Sequence, residues 1–258
     1  MSSIIFETRE AVGCITFNRP DKFNAFNRDM AFAMQDSLAQ YAADDNIRAV
    51  YITGNGKAFS AGQDLSELTG EDPPGFENIL SKHYNPIILA IRNISKPVVA
   101  AVNGVAAGAG ANIALCCDVI VAAQSASFLQ AFSKIGLIPD SGGTYFLPRL
   151  IGWQKASALM MLGEKVPAAE AEKIGMLYKV FPDEEFPASA FAIAATLAKM
   201  PTRGLALTKQ ALSTSFNSGL EEQLEFEDQL QYQAAHTEDY QEGVAAFLEK
   251  RAATFKGK

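Results

Sequence analysis

Three short segments hold residues whose types and spacing could do chemistry. The first is 58–65, AFSAGQDL, and the second is 103–110, NGVAAGAG; each follows an apolar run typical of a buried strand. Turns of this kind can leave backbone N–H groups pointing at one atom. Two such donors converging on a single oxygen would form an oxyanion hole. The second turn opens a helical pattern, whose first N–H groups have no partner within the helix and whose dipole favours negative charge. The same turns read equally as places of close strand–helix packing, where glycine only supplies room. The third segment is 135–144, IGLIPDSGGT. Asp140 stands between Pro139 and Ser141-Gly142-Gly143, with Phe132, Ile135, Leu137 and Ile138 close by in the chain. A carboxylate held among apolar side chains is harder to ionise, so its pKa rises toward neutrality, as a proton-shuttling base needs. The competing reading has Asp140 capping the helix that follows.

Other chemistries fit poorly. The run 108–113, GAGANI, half-matches a dinucleotide fingerprint, but Ile113 stands where the third glycine belongs. The acidic residue expected about 20 residues further on is missing too. Gly54-Asn55-Gly56-Lys57 lacks P-loop spacing, and no Gly-x-Ser-x-Gly elbow is present. The two histidines (His83, His236) and three cysteines (Cys14, Cys116, Cys117) show no ligand spacing, so no metal site is expected. The cysteines read as buried apolar residues of a reducing cytoplasm.

Twenty-two basic and 29 acidic side chains leave the 258-residue chain at net −7, which argues against nucleic-acid or anionic-membrane partners. The uncharged stretch 97–117 has the length of a bilayer span, about 20 residues. Pro97, Asn103, Gly104, Gly108, Gly110 and Asn112 interrupt it. A strand, a glycine turn and a buried helix fit it better. The N-terminal residues carry neither a basic region nor an extended apolar segment, so no signal peptide is expected.

Residues 4–9 and 12–18 predict a hairpin, 27–43 an amphipathic helix, and 49–53 a strand stopped at Gly54. Residues 76–94 predict a helix ended by Lys96-Pro97, then 97–102 a strand, 109–116 a helix and 119–123 a strand. Strands separated by helices imply an α/β fold with parallel pairing. From about Gly152 the pattern turns helical: 154–162, 168–174, 187–199, 204–215, 220–232 and 239–250 all read as helices. Only 179–181 reads as extended there, and no second sheet is expected. Trp153 and Phe146 are expected to pack, Phe247 and Leu248 to lie in an interface or core, and His83 to pack or face solvent. The acidic helix stripe from Glu221 to Asp228 reads as a solvated face.

The three segments, together with 18–25 (NRPDKFNA), 96–110 (KPVVAAVNGVAAGAG) and 242–251 (EGVAAFLEKR), resemble the crotonase superfamily, the enoyl-CoA hydratases and isomerases. The likeness runs from end to end in the family's order. It implies an α/β fold: a crotonase-like spiral of ββα units over 1–200, with a C-terminal helical trimerisation region over 201–258. It also implies an acyl-CoA substrate, an enolate intermediate and a homotrimer or hexamer (a dimer of trimers). Coenzyme A belongs to the substrate, and no separate cofactor is implied. By position, the backbone N–H groups of Gln63 and Ala109 would hold the thioester oxygen. CoA and pantetheine contacts would fall on Lys22, Phe23, Ala25, Ala61, Asp64 and Leu65, with Gly108 and Asn112 beside the acyl group. Lys22 and Arg28 would face the phosphates. The acyl pocket would draw on residues of 66–84 and on the tail.

Two departures bear on the reaction. The family's hydratases use two glutamates, and these positions are occupied here by Asn112 and Phe132. Asn112 could orient substrate or water but cannot take a proton at neutral pH. The run 131–144, AFSKIGLIPDSGGT, resembles the family's isomerases of ring-epoxide thioesters, which shuttle a proton with one aspartate, here Asp140. This implies conversion of a phenylacetyl-CoA ring 1,2-epoxide to an oxepin-type thioester, and a shift of a double bond between positions 3 and 2 of an enoyl-CoA. A hydratase, a non-catalytic acyl-CoA binder, and a hydrolase or dehalogenase with Asp140 as nucleophile stay open as alternatives.

Overall fold

The computed structural model describes residues 2–69 and 73–258. Among the described residues ten strands form two sheets. The larger has the order β1 (Ile4–Arg9), β2 (Val12–Phe17), β3 (Ala49–Gly54), β5 (Val98–Val102), β7 (Val119–Ala123), β10 (Lys179–Phe181). Its first pair is the antiparallel hairpin and its other pairings are parallel. The smaller sheet, absent from the sequence expectation, has the order β4 (Ala58–Ser60), β6 (Val105–Ala107), β8 (Ser127–Leu129), β9 (Lys165–Pro167). Each turn of the spiral therefore contributes one strand to each sheet: β3 then β4, β5 then β6, β7 then β8.

The corners between paired strands are tight. A side chain on Gly104 would lie 2.1 Å from the Lys57 carbonyl oxygen, and one on Gly54 would lie 2.3 Å from that of Ala58. Only glycine lets these backbones cross. All five residues of β5 are fully buried, two of them alanine, so flanking layers approach closely.

Helix α1 (Arg28–Ala43) starts where Asn27 caps the Met30 N–H and buries Met30, Met34, Leu38 and Tyr41 at helical spacing. The helix expected over 76–94 is interrupted. It comprises α2 (Phe76–Asn78), a wide π turn over Ile79–Tyr84, and α3 (Asn85–Asn93). Pro86 has no N–H to give the Lys82 carbonyl, and the Asn85 N–H reaches five residues back to Leu80. Gln35 of α1 donates to the Lys82 and His83 carbonyls instead, at 2.8 and 3.1 Å.

Helix α4 (Ala109–Leu115) follows β6 and is buried along its length. Helices α5 (Gly143–Ile151) and α6 (Trp153–Leu162) pack on each other, α5 also on α4 and α6 on the 131–135 turn, while α7 (Ala168–Lys173) and α8 (Phe186–Lys199) pack on the sheets. They are followed by α9 (Thr202–Ser215), α10 (Leu220–Ala235) and α11 (Glu238–Glu249). Among the described residues no helix is long and apolar enough to cross a membrane. Trp153, expected to pack, is 78% exposed, while Phe146 does pack against the core. Phe247 and Leu248 are exposed on α11, outside the core of the chain. The chain end is held by Arg48, which donates to the Met200 and Phe255 carbonyls, and by Asp239, which accepts from the Lys256 and Gly257 N–H groups.

Candidate active site

Segment 61–64 lies along 23–26. The Ala61 N–H donates to the Phe23 carbonyl at 2.9 Å, the Phe26 N–H to Gly62 at 2.7 Å, and the Asp64 N–H to Phe26 at 2.8 Å. Gln63 falls between these bonds, and its own N–H has no partner among the described residues. The supporting turn carries left-handed backbone at Phe23 (φ 51°) and Asn24 (φ 54°). Buried Asn24 justifies its conformation with a full set of bonds: it accepts from the Arg19 N–H and donates to the Asn55 and Ala58 carbonyls.

Ala109 is the first residue of α4, so its N–H has no carbonyl four residues back, and it has no other partner among the described residues. Gly108 before it sits at φ 52°, ψ −128°, a conformation only glycine adopts without strain. The two turns meet. A carbon added to Gly62 would lie 2.9 Å from the Ala107 carbonyl oxygen and 3.3 Å from the Ala109 nitrogen. The packing reading also holds, since a side chain on Gly110 would strike Ser60 at 2.6 Å.

Gln63, Ala109 and Asp140 line one cavity of about 200 Å³. Its walls are mostly apolar: Leu65, Leu68, Ile79, Leu80, Tyr84, Phe132, Ile135 and Leu137. Asp140 is the one acidic residue among the described lining residues, and Phe132 is buried beside it. Burial raises the Asp140 carboxyl above the usual carboxylate range, and a hydrogen bond from the Ser141 hydroxyl to Oδ1, at 2.8 Å, partly opposes the rise. The capping reading fails on geometry. The N-cap of α5 is Gly142, with no side-chain cap, and it is the Asp140 backbone carbonyl that accepts from the Gly143 N–H, at 2.8 Å.

Sequence reasoning did not single out Tyr84. Its hydroxyl donates to Gln63 Oε1 at 3.0 Å, Gln63 Nε2 donates to Glu67 Oε2 at 3.0 Å, and Glu67 Oε1 accepts from the Arg28 N–H at 2.8 Å. Burial, then the nearby Asp140 carboxylate, pushes the Tyr84 hydroxyl well above its ordinary range, so it stays a neutral donor. The wide π turn is what brings both Ile79 and Tyr84 to the cavity; its neighbour His83 packs against Phe32 instead, ring centroids 5.4 Å apart.

The remaining expected residues divide. Ala61, Leu65 and Gly108 line the cavity. Lys22, Phe23 and Ala25 sit on the turn bonded to 61–64, outside the lining. Asp64 turns away: burial raises its carboxyl, but hydrogen bonds from Ser66 and Arg19 outweigh this and hold it below the usual range. Asn112 does not line the cavity. It is fully buried behind Asp140, and its side chain is occupied by the Asp140 carbonyl and by Gln130. Among the described residues the lining stops at Asp140, so no residue of the tail takes part in it. Of the expected region 66–84, Leu68, Ile79, Leu80 and Tyr84 take part, and 70–72 lie outside the described residues. No cluster of potential metal ligands occurs among the described residues.

Comparison with known proteins agrees with this architecture. Residues 7–258 match the enoyl-CoA hydratase/isomerase family. The chain is 43% identical, over the whole of both proteins, to the 1,2-epoxyphenylacetyl-CoA isomerase of Escherichia coli K12. It is 42% identical to a protein of Rhodobacter capsulatus named a probable enoyl-CoA hydratase, over 99% of this chain and 98% of that one. Among solved structures, the enoyl-CoA hydratase of Bacillus anthracis superposes with a TM-score of 0.94 at 33% identity, over 99% of this chain and all of that one. The ββα spiral, the two adjoining glycine turns and these likenesses coincide over the same residues: this chain belongs to the enoyl-CoA hydratase/isomerase family.

Proposed function

We propose that the protein is an acyl-CoA isomerase that converts the ring 1,2-epoxide of phenylacetyl-CoA to an oxepin-type thioester, and that moves a 3-enoyl double bond to position 2. The observation that carries this reading is one carboxylate, Asp140, in an apolar cavity shared with two backbone donors, Gln63 and Ala109, that have no partner among the described residues. The likeness to the 1,2-epoxyphenylacetyl-CoA isomerase supports the choice of substrate.

The thioester oxygen accepts from the N–H groups of Gln63 and Ala109. Asp140, ionised, takes an α-proton, and the negative charge moves onto that oxygen. For the ring epoxide, the C–C bond shared by the two rings opens and a seven-membered oxygen ring forms. Asp140 returns the same proton to a ring carbon, so no atom is gained or lost. Losing one oxyanion donor costs about 2.7–4 kcal/mol of barrier in comparable sites. Raising the Asp140 pKa makes it a stronger base once ionised, and the apolar walls keep water away. Helices α9 to α11 with exposed Phe247 and Leu248 would supply the assembly region of a trimer or hexamer.

The test is Asp140→Asn. It should retain thioester binding and lose isomerisation of both substrates by at least two orders of magnitude, as expected on removing a general base. Near-normal turnover would overturn the assignment. The likeness to a probable hydratase favours a second reading, water addition. Rapid hydration of crotonyl-CoA by the unmodified protein would establish it over the first.

A further inference from the structure

A polar chain runs behind the proposed base. Asn112, fully buried, donates from Nδ2 to the Asp140 backbone carbonyl at 2.8 Å. Its Oδ1 accepts from Nε2 of buried Gln130, also at 2.8 Å. Chemistry dictates both amide orientations. A carbonyl can only accept, so Asn112 must turn its NH2 to Asp140; its oxygen then faces Gln130, which must present an NH2 in turn. The far atom of the chain, Gln130 Oε1, is buried with no partner among the described residues. An orphaned buried acceptor is destabilising. Its presence makes sense if the donor on the same amide is needed where it points.

The backbone is shaped around this contact. A side chain on Gly143 would lie 2.4 Å from Asn112 Nδ2, so only glycine there lets the amide reach the Asp140 carbonyl. That carbonyl also accepts from the Gly143 N–H, so it is held by two donors. Asn112 stands one helical turn after Ala109 on the same short helix, α4. One rigid element thus carries an oxyanion donor at its first residue and the clamp on the base at its fourth.

We propose that Asn112 and Gln130 are positioning residues that fix the Asp140 base relative to the Ala109 N–H, and that the amide at 112 commits the site to chemistry with one base. This inference rests on the assignment of Asp140 as that base. A carboxylate at 112 would face the Asp140 carbonyl oxygen acceptor to acceptor, with a negative charge placed beside the base. The position is therefore closed to a second acid by its surroundings as well as by its residue type.

The test measures α-proton exchange of phenylacetyl-CoA in D2O, with the maximal rate and half-saturation concentration recorded separately. Gln130→Met keeps the length of the side chain and removes its donor. It should lower the maximal rate about tenfold and leave half-saturation within about twofold, as for a misplaced catalytic group. Asn112→Leu should lower the rate further, and adding Gln130→Met to it should change nothing more, because Gln130 acts through Asn112. Asn112→Glu should gain no hydration of crotonyl-CoA. If Asn112→Leu does not fold, Gln130→Glu decides with Gln130→Met: both should show the fall in rate without a change in half-saturation. An unchanged rate in Gln130→Met, an effect confined to half-saturation, or full additivity with Asn112→Leu would overturn the inference. Asp140→Asn separates the two levels. Exchange surviving in that variant removes the base itself, whereas exchange lost there but unchanged in Gln130→Met removes only the positioning role.

Discussion

The Ser141 hydroxyl donates to Oδ1 of Asp140 at 2.8 Å from a left-handed backbone, φ 50°. A serine rarely adopts that conformation without compensation, and strain of this sort collects where a side chain must be aimed. Burial opposes ionisation of Asp140, and the serine is the neighbour that eases it.

Loss of that hydroxyl should show in the pH profile. As the proposed base, Asp140 would act only above its pKa, so activity should rise with pH through that value. Ser141→Ala removes a bond to the charged form, raises the pKa further and moves the acid limb of kcat/KM to higher pH. Ser141→Gly should move the limb in the same direction while being more stable than Ser141→Ala by about 1 kcal/mol, because glycine accepts a positive φ. Steady-state rates across pH, paired with thermal unfolding, check both.

The half-buried carboxylate should also cost stability. Its folded pKa lies above its unfolded value, so the folded state binds the proton more tightly. Stability from this group is fully present below the unfolded pKa and is lost as pH rises through the folded one. Asp140→Asn should therefore unfold at higher temperature than the parent at neutral pH, by a margin of roughly 0.5–2 kcal/mol. The margin should vanish below the ordinary carboxylate range, and calorimetry on the two proteins at both pH values measures it.

Gly62→Ala tests the meeting of the two turns. The residue sits at φ 86°, and its new carbon would press on the Ala107 carbonyl and the Ala109 nitrogen. Separating the two donors should lower kcat by about 10²–10³, the loss seen when one oxyanion donor is removed. A kcat within a few-fold of the parent would show that the donors do not converge.

Lys209→Met should loosen α9 without touching the site. The Lys209 ammonium, lowered in pKa chiefly by burial, donates to Asp118 at 2.7 Å and to the Ile91 carbonyl, and Arg92 also grips Asp118. Asp118 keeps Arg92 as its partner, so the loss should be on the order of 1–2 kcal/mol, from the hydrogen bonds of a buried ammonium. Thermal unfolding should register that loss, with kcat unchanged well below the transition.

The apolar strands β3, β5 and β7 were legible because each is a continuous apolar run ended by glycine, proline or a polar turn, and helix α1 because its buried residues recur at helical spacing. The smaller sheet was not. Its strands are three residues long, too short to show any period, and each exists only because a neighbouring turn of the spiral supplies its partner. The wide π turn was hidden in a helical pattern, since what makes room for it is the pairing of Gln35 with carbonyls freed near Pro86.

The apolar run around Asp140, together with the family resemblance, singled it out among 29 acidic side chains, and the sequence put an amide and a phenyl ring at 112 and 132. Those properties are local, and the chain carries them folded or not. Tertiary structure decided how they act. It turned Asp140 into the cavity rather than onto the end of α5, and kept Asn112 out of the cavity lining, bonded to the Asp140 backbone. It joined Tyr84 to Gln63 across 21 residues and Gln130 to Asn112 across 18. Hydrogen bonds depend on distance and direction, and only the packed spiral brings those atoms within reach of each other.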